Sequence, residues 1–129
     1  MKTIITGSRS IKDYSLVKRT IEESGFQITE VVSGTAKGVD RLGERWAKEN
    51  RVKLTQFEAD WHNIYHPAAI VRVNGFGGKY DASAGRRRNK KMVDYADALI
   101  VIIENNSKRS MNILQIAQRR KLKIHCEFI

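Results

Sequence analysis

The stretch at residues 31–40, with the sequence VVSGTAKGVD, constrains the fold more than any other part of the chain. A short apolar run ends in small residues, two glycines (Gly34 and Gly38) stand four positions apart, and an amphipathic segment follows directly. This order is typical of a buried parallel strand that turns into a helix. Glycine lets the backbone pass close to a ligand, and the free N–H groups of a helix start favour phosphate. The stretch therefore predicts an α/β domain that presents this turn to a small anion.

The rest of the chain alternates between apolar runs and segments with helical spacing. Five strands are predicted, at residues 2–6, 28–32, 52–57, 98–103 and 122–129. Four helices are predicted between them, at residues 12–24, 36–50, 85–96 and 110–121. Because strands and helices alternate and parallel crossovers are right-handed, we expect a three-layer, Rossmann-like, doubly wound sheet of five mainly parallel strands.

The alternation breaks at residues 60–84, and we expect an inserted loop region around 62–83. Irregular stretches of this length inside compact domains are usually lids or mobile segments. Within it, residues 75–79 (GFGGK) superficially resemble a phosphate loop but lack its Lys-Ser/Thr ending, and no helix clearly follows. A flexible turn is the favoured interpretation.

Length and composition predict one domain, residues 1–129, in the cytoplasm. The chain has a single proline, no linker and no repeat, and 41% of its residues are hydrophobic. Its longest apolar run, residues 98–103, is too short to cross a membrane, and no signal-peptide core is visible at the N-terminus. The lone Cys126 is interpreted as a reduced, packed residue.

The chain is a basic protein. Its 24 lysines and arginines exceed its 14 acidic residues by ten, which gives a net charge of +10. Such an excess favours anionic partners, which include nucleotides, nucleic acids and acidic surfaces, without choosing among them. We expect no membrane partner.

In doubly wound sheets, ligands bind beyond the carboxyl ends of the strands, where the strand order reverses. Four predicted loops lie at that edge: residues 7–10, 33–40, 58–61 and 104–110. Together with the helix that follows the insert, they supply the predicted ligand-binding residues: Gly7, Ser8, Arg9, Ser33, Gly34, Thr35, Gly38, Asp40, Asp60, Trp61, Arg88, Asn89, Ser107, Arg109 and Ser110.

The first loop offers two interpretations. In the functional one, the backbone of Gly7 and Ser8 contacts phosphate and Arg9 supplies a charge clamp. In the other, the loop is a plain connection in which Ser10 caps the following helix. A second glycine turn expected at the same edge favours the functional interpretation.

Two carboxylates are candidates for ligand contacts or for catalysis. Asp40 could hold a ribose hydroxyl, although the helix dipole alone would also favour a carboxylate there. Glu44, four residues later, is predicted to be a surface charge. Asp60 beside Trp61 suits a ribose and a base, although Trp61 could instead cover the end of the sheet.

The densest basic run is residues 86–91, RRRNKK. Helical geometry assigns Arg87 and Lys91 to solvent or to a polyanion, while Arg88 at the border could turn into the cleft with Asn89. No cofactor or metal site is predicted, because the histidines lack ligand spacing. No nucleophile–base motif is visible either, so the catalytic residues, if any, are unknown beyond Asp40 and Asp60.

Several segments, in this order, resemble the SLOG superfamily: Gly7-Ser8-Arg9, residues 33–40, Ala59-Asp60-Trp61, and Ala84-Gly85 with Arg88, Asn89 and Met92. Among its branches the chain is most similar to the small YpsA/YspA-related proteins. The turn at residues 33–40 is also similar to that of DNA-processing protein A. The resemblance implies a Rossmann-like domain that binds nucleotides or nucleotide-derived signals and often self-associates, so a homo-oligomer is expected. Relatives include phosphoribohydrolases, DNA-processing proteins and sensor domains of bacterial–phage conflict systems.

The chain departs from this family pattern after the fourth strand. Relatives tend to carry Gly-Thr where this chain has Arg109-Ser110. Without the glycine the backbone approaches the ligand differently, which suggests that Arg109 supplies charge to the ligand instead. Phosphoribohydrolases carry a glutamate three residues beyond that Thr, and here the position is Ile113. This weighs against phosphoribohydrolase-type catalysis.

Three functions therefore remain open. The first is the sensing or sequestering of a nucleotide or nucleotide-derived phosphorylated ribosyl ligand. The second is a nucleotide-processing hydrolase that cleaves an N-glycosidic or phosphate bond. The third is a module that binds the nucleic-acid backbone through exposed basic residues.

Overall fold

The computed structural model describes all residues, 1–129, as seven strands and four helices. In chain order the elements are β1 (Lys2–Gly7), α1 (Tyr14–Ser24), β2 (Glu30–Ser33), α2 (Val39–Glu49), β3 (Lys53–Gln56), β4 (Val71–Val73), β5 (Lys79–Asp81), α3 (Ala84–Tyr95), β6 (Ala98–Ile103), α4 (Lys108–Arg119) and β7 (Lys123–Phe128). No helix is both long and apolar enough to cross a membrane.

Five strands form one sheet in the order β3-β2-β1-β6-β7, and every neighbouring pair is parallel. The predicted five-stranded Rossmann-like α/β fold is therefore confirmed. The chain adds β2 and β3 on one side of β1 and returns to add β6 and β7 on the other. The strand order thus reverses between β1 and β6, and this is where doubly wound sheets bind ligands.

The sheet is buried on both faces. All six residues of β6 are buried, as expected of a central parallel strand with helices on each side. On one face, α1 and α2 pack over a core that includes Ile5, Val31 and Ile100. On the other, α3 and α4 pack over a core that includes Ile4, Leu99 and Ile113.

Helices α1 and α2 begin later than predicted, each for a local reason. The side chain of Asp13 accepts a hydrogen bond from Leu16 N and caps α1, so the helix starts at Tyr14. Helix α2 starts at Val39 instead of residue 36, because Gly38 has φ 81°, outside the helical region.

The insert contains an antiparallel hairpin of β4 and β5, which the sequence did not predict. Residues 74–78 form the turn that joins these strands, so four of the five residues of the predicted turn at 75–79 lie in it, while Lys79 begins β5. Phe76 in this turn is fully exposed. Buried Asp81 anchors the hairpin: its carboxylate accepts hydrogen bonds from Ile70 N (3.0 Å) and Ser83 N (2.9 Å) and pairs with Arg87. The insert is thereby fixed to the start of α3.

Candidate ligand-binding site

Two of the predicted loops touch each other at the carboxyl edge of the sheet. A Cβ added to Gly38 would overlap the carbonyl oxygen of Ser8 and lie 2.8 Å from Arg9 Cα. The turn after β2 therefore lies directly against the turn after β1. This close approach and the positive φ of Gly38 both require glycine at the position.

Three adjoining cavities lie at this edge, and Arg9 and Arg88 line all of them. The switch-point cavity, about 340 Å³, lies between the loops that follow β1 and β6. The aromatic cavity, about 290 Å³, lies beside Trp61 and the turn after β2. The hairpin cavity, about 280 Å³, lies between the β4–β5 hairpin and helices α3 and α4.

Most of the predicted residues line these cavities. The switch-point cavity is lined by Gly7, Ser8, Arg9, Asp40, Arg88, Asn89, Ser107, Arg109 and Ser110. The aromatic cavity adds Gly34, Thr35 and Trp61. The structure therefore brings the four predicted loops and the start of α3 together in space.

Three arginines converge on this edge from three different elements. Partial desolvation and the neighbouring charge of Arg109 lower the pKa of Arg9. Burial also lowers the pKa of Arg88, and the charges of Arg9 and Arg109 add to this effect. The three guanidiniums are thus close enough to repel one another, and an anion placed among them would relieve that repulsion.

Arg88 is held in place by the protein itself. Its Nη1 donates a hydrogen bond to Gly34 O, and its Nε donates one to Asn89 Oδ1 (3.0 Å). Asn89 in turn donates from Nδ2 to Asn112 Oδ1 (3.2 Å). A Cβ on Gly34 would lie 3.0 Å from Arg88 Cζ, so the small residue there makes room for the guanidinium.

Asp40 is one of two carboxylates in the switch-point cavity, the other being Glu104, and is only 2% exposed. Thr6 Oγ1 donates a hydrogen bond to its Oδ1 (2.6 Å), and Ala36 N donates one to its Oδ2 (3.2 Å). Burial raises the pKa of Asp40, and these two hydrogen bonds offset part of that rise. Both oxygens therefore already have donors within the protein.

The two serines of the first loop, Ser8 and Ser10, make contacts that differ from those in either interpretation. The amide of Ser8 donates to Ile102 O (3.0 Å), so it is not free to bind phosphate. The Ser8 hydroxyl accepts a hydrogen bond from Glu104 N (2.8 Å) and joins the loops after β1 and β6. Ser10 caps no helix either, because Asp13 caps α1 and Ser10 donates to the Glu104 carboxylate.

The turn after β2 uses some of its amides and leaves others free. Thr35 N donates to Ser33 Oγ (3.1 Å), while Ala36 N is taken by Asp40. Val39 N, in the first turn of α2, has no acceptor within the protein. The free positive end of α2 therefore adds to the charge of the arginines.

Glu44 was predicted to be a surface charge, and this is wrong. It is 6% exposed and accepts hydrogen bonds from Ser33 Oγ (2.7 Å), Gln56 Nε2 (3.1 Å) and Arg41 Nη1 (3.1 Å). Burial acts to raise the pKa of Glu44, but these hydrogen bonds outweigh it and the pKa falls. Ser33 faces this network and lines none of the three cavities.

The predicted pair Asp60 and Trp61 is separated by the structure. Trp61 is half-buried and lines two cavities, with its ring edge against Gly85. Asp60 is exposed and lines none of the three. Of the two side chains, only the ring of Trp61 therefore lines the cavities.

Arg87 was assigned to solvent or a polyanion, and this is also wrong. Its side chain is only 25% exposed because it pairs with the buried carboxylate of Asp81. Lys91, by contrast, is exposed as predicted. Arg88 does turn into the cleft with Asn89, as the helical spacing predicted.

Several lining residues were not among the predicted ligand-binding residues, although some lie in the predicted loop 104–110 or in the basic run 86–91. They are Glu104 and Asn105 in the switch-point cavity, and Arg72, Tyr80, Arg86, Lys108 and Asn112 in the hairpin cavity. Ile113, which stands where phosphoribohydrolases carry a glutamate, lies in the wall of the switch-point cavity. Away from the site, ligand atoms of Glu23, His125 and Glu127 lie within 4.8 Å of one another and could hold a metal ion.

Comparison with known proteins supports the resemblance to the SLOG superfamily. Residues 1–64 match the YAcAr family, described as the YspA, cpYpsA-related SLOG family. No curated protein matches the chain. Among solved structures, the fold is similar to that of DNA processing protein A (DprA) from Streptococcus pneumoniae, with a TM-score of 0.67 and 19% sequence identity. That similarity covers 95% of this chain and 48% of the DprA chain, so the chain spans about half the length of DprA.

Proposed function

We propose that the chain, whose residues 1–64 match the YspA, cpYpsA-related SLOG family, binds a nucleotide or nucleotide-derived phosphorylated ribosyl ligand. The ligand lies at the carboxyl edge of the sheet, and the protein senses or sequesters it. Its phosphate enters the switch-point cavity, between the loops that follow β1 and β6.

One observation carries this proposal: Arg9, Arg88 and Arg109 converge on a cavity wall that also contains Asp40. Arg9 and Arg88 face this buried carboxylate, Glu104 is the second carboxylate of the cavity wall, and none of the three arginines forms a salt bridge. Charge-assisted hydrogen bonds from arginine to phosphate are among the stronger polar contacts in proteins. A phosphate is the ligand that best balances this wall.

Each part of the site has its own role in this proposal. Arg9 and Arg109, both exposed and without a salt bridge inside the protein, donate to the phosphate. Arg88, fixed by Gly34 and Asn89, supplies a preorganised charge. Trp61 offers an aromatic face for the base in the adjoining aromatic cavity.

A hydrolase is the second candidate, and the state of Asp40 is what favours it. A buried carboxyl with a raised pKa in a cavity wall is a common feature of acid–base catalysts. Incubation with radiolabelled nucleoside phosphates tests this. Product that forms with the wild type and is lost in Asp40→Asn supports the hydrolase, whereas product that persists in Asp40→Asn argues against a catalytic Asp40.

A thermal-shift panel of mono-, di- and cyclic nucleotides tests the binding proposal. A ligand present at a hundred times its Kd stabilises the fold by about 2.7 kcal/mol, so a true ligand raises Tm clearly. The shift should be reduced in Arg109→Gln and retained in Arg119→Gln, an exposed arginine at the other end of α4.

Mass spectrometry of small molecules released from the denatured protein identifies natural candidates for the panel. If neither these molecules nor any nucleotide shifts Tm, the binding proposal is overturned. If single-stranded DNA or RNA shifts Tm and binds with a steep dependence on salt, the chain is a nucleic-acid backbone-binding module instead.

A further inference from the structure

The hairpin cavity is cationic to a degree that one phosphate does not explain. Six of its 12 lining residues are arginine or lysine, and none is aspartate or glutamate. The six are Arg9, Arg72, Arg86, Arg88, Lys108 and Arg109. Three of them also line the switch-point cavity, and Arg72, Arg86 and Lys108 are additional.

These additional charges are not balanced within the protein. None of Arg72, Arg86 and Lys108 forms a salt bridge or a side-chain hydrogen bond. By contrast, Arg87, next to Arg86 on α3, pairs with the buried Asp81. A cavity lined by unpaired charges of one sign attracts a ligand of the opposite sign.

The same cavity also contains aromatic side chains. Trp61 and Tyr80 both line it, together with the amides of Asn89 and Asn112. Aromatic rings and arginines in one groove are the usual means of holding a nucleobase next to a phosphate. The chemistry of the wall therefore suits a nucleotide unit rather than a simple inorganic anion.

The hairpin that supplies two of these side chains is firmly placed. Arg72 and Tyr80 are paired across β4 and β5, so they project from the same face. The amide of Asp81 donates to Trp61 O (2.6 Å), which ties the hairpin to the residue that carries the other ring. Arg72, Tyr80 and Trp61 thus belong to one anchored unit.

We infer that the hairpin cavity is a second phosphate subsite, and that the ligand carries two phosphates separated by a nucleoside, as a 5′-phosphorylated dinucleotide does. This inference rests on the proposed function, because Arg9, Arg88 and Arg109 are shared between the two subsites. One phosphate occupies the switch-point cavity and the second lies beside Arg72, Arg86 and Lys108. The base between them contacts Trp61 or Tyr80.

Calorimetric titration with AMP and with the dinucleotide pApA tests this inference. We expect pApA to bind wild-type protein at least about tenfold more tightly than AMP, since one extra charged contact pair contributes about that factor. Arg72→Gln and Arg86→Gln should each lower the affinity for pApA about tenfold and change the affinity for AMP less than twofold. The matched controls are Lys79→Gln on the same hairpin and Lys91→Gln on the same helix, which line none of the three cavities and should change neither ligand.

The outcomes separate this inference from the proposed function. Suppose that AMP binds through Arg109. If pApA then binds no more tightly than AMP, or if its higher affinity survives in Arg72→Gln and Arg86→Gln, only the second subsite is overturned. If neither ligand binds, the proposed function fails with it. If octameric pA binds far more tightly than pApA, so that each added nucleotide contributes, the ligand is a nucleic-acid strand and the dinucleotide assignment is overturned.

Discussion

Arg88 on α3 donates a hydrogen bond to the backbone oxygen of Gly34, 54 positions earlier in the chain. The bond ties a helix on one face of the sheet to the turn that leads into a helix on the other face. It also fixes a guanidinium beside Asp40, at the point where the strand order reverses. The positive wall of the switch-point cavity is therefore partly built before any ligand arrives.

Arg88→Lys should weaken AMP binding although it keeps the charge. A guanidinium reaches Gly34 O and Asn89 Oδ1 together, whereas an ammonium is a point charge on a flexible stem. We expect a loss of about tenfold in affinity by calorimetry, equivalent to about 1.4 kcal/mol. Arg109→Lys is the comparison, since Arg109 makes no such internal bonds, and it should lose less. A larger loss in Arg109→Lys would contradict a preorganising role for Arg88.

Gly38→Ala should destabilise the fold. The residue has φ 81°, and a Cβ would overlap Ser8 O, so both strain and collision oppose any side chain. We expect urea unfolding to show a loss of about 1–3 kcal/mol in the free energy of unfolding. Gly75→Ala is the control, because nothing lies within 4 Å of its Cβ position, and it should change stability by less than about 0.5 kcal/mol. Equal effects of the two substitutions would refute this reading of the contact between the loops.

Asp81→Asn should lower stability at neutral pH and much less at acid pH. Hydrogen bonds from Arg87, Ser83 and Ile70 outweigh burial and lower the pKa of Asp81. The ionised form therefore stabilises the fold above the unfolded-state pKa of about 3.9, and this contribution is lost as pH falls through the lower folded-state pKa.

Thermal unfolding of the wild type and Asp81→Asn between neutral and acid pH measures this effect. The gap in Tm should be several degrees at neutral pH and should narrow below about pH 4. Asp94→Asn, which breaks the exposed pair with Arg120, should show little gap at any pH. A gap for Asp81→Asn that does not vary with pH would show that its charge does not anchor the hairpin.

Asp40→Asn should tighten the binding of inorganic phosphate several-fold. The substitution removes the buried negative charge that faces Arg9 and Arg88, so the positive potential of the cavity rises. It should also cost about 1–3 kcal/mol in the free energy of unfolding, since Thr6 and Ala36 lose a charged acceptor. Weaker binding of AMP with unchanged binding of phosphate would instead assign Asp40 to a ribose hydroxyl.

The sheet and the edge at which the cavities lie could be predicted because their signals are local. Apolar runs identify the five strands, and the loops after β1, β2, β3 and β6 must share one edge once the strands are parallel. Arg88 and Asn89 could be placed in the cleft from helical spacing alone, because Met92 and Val93 define the buried face of α3.

Two of the errors concern side chains whose partners lie on other elements or far away in the chain, and a third concerns very short strands. Glu44 is buried because Ser33 and Gln56 approach it from two strands, which no helical pattern reveals. Ser10 turns away from α1 because its acceptor, Glu104, lies 94 positions later. The hairpin escaped prediction because β4 and β5 have only three residues each, too few for a periodicity to appear.

The most direct test of the phosphate site is a calorimetric titration of AMP and adenosine. Both are titrated into wild-type protein and into the Arg9→Gln/Arg109→Gln double variant. Two charge-assisted contacts are removed together, so AMP affinity should fall about a hundredfold or more, and adenosine should bind the wild type far more weakly than AMP does. Lys12→Gln/Arg119→Gln removes two exposed charges that line none of the three cavities and should leave AMP binding unchanged. Equal affinities of the wild type and the Arg9→Gln/Arg109→Gln variant for AMP, or adenosine that binds as tightly as AMP, would contradict a phosphate held by the arginines at the switch point.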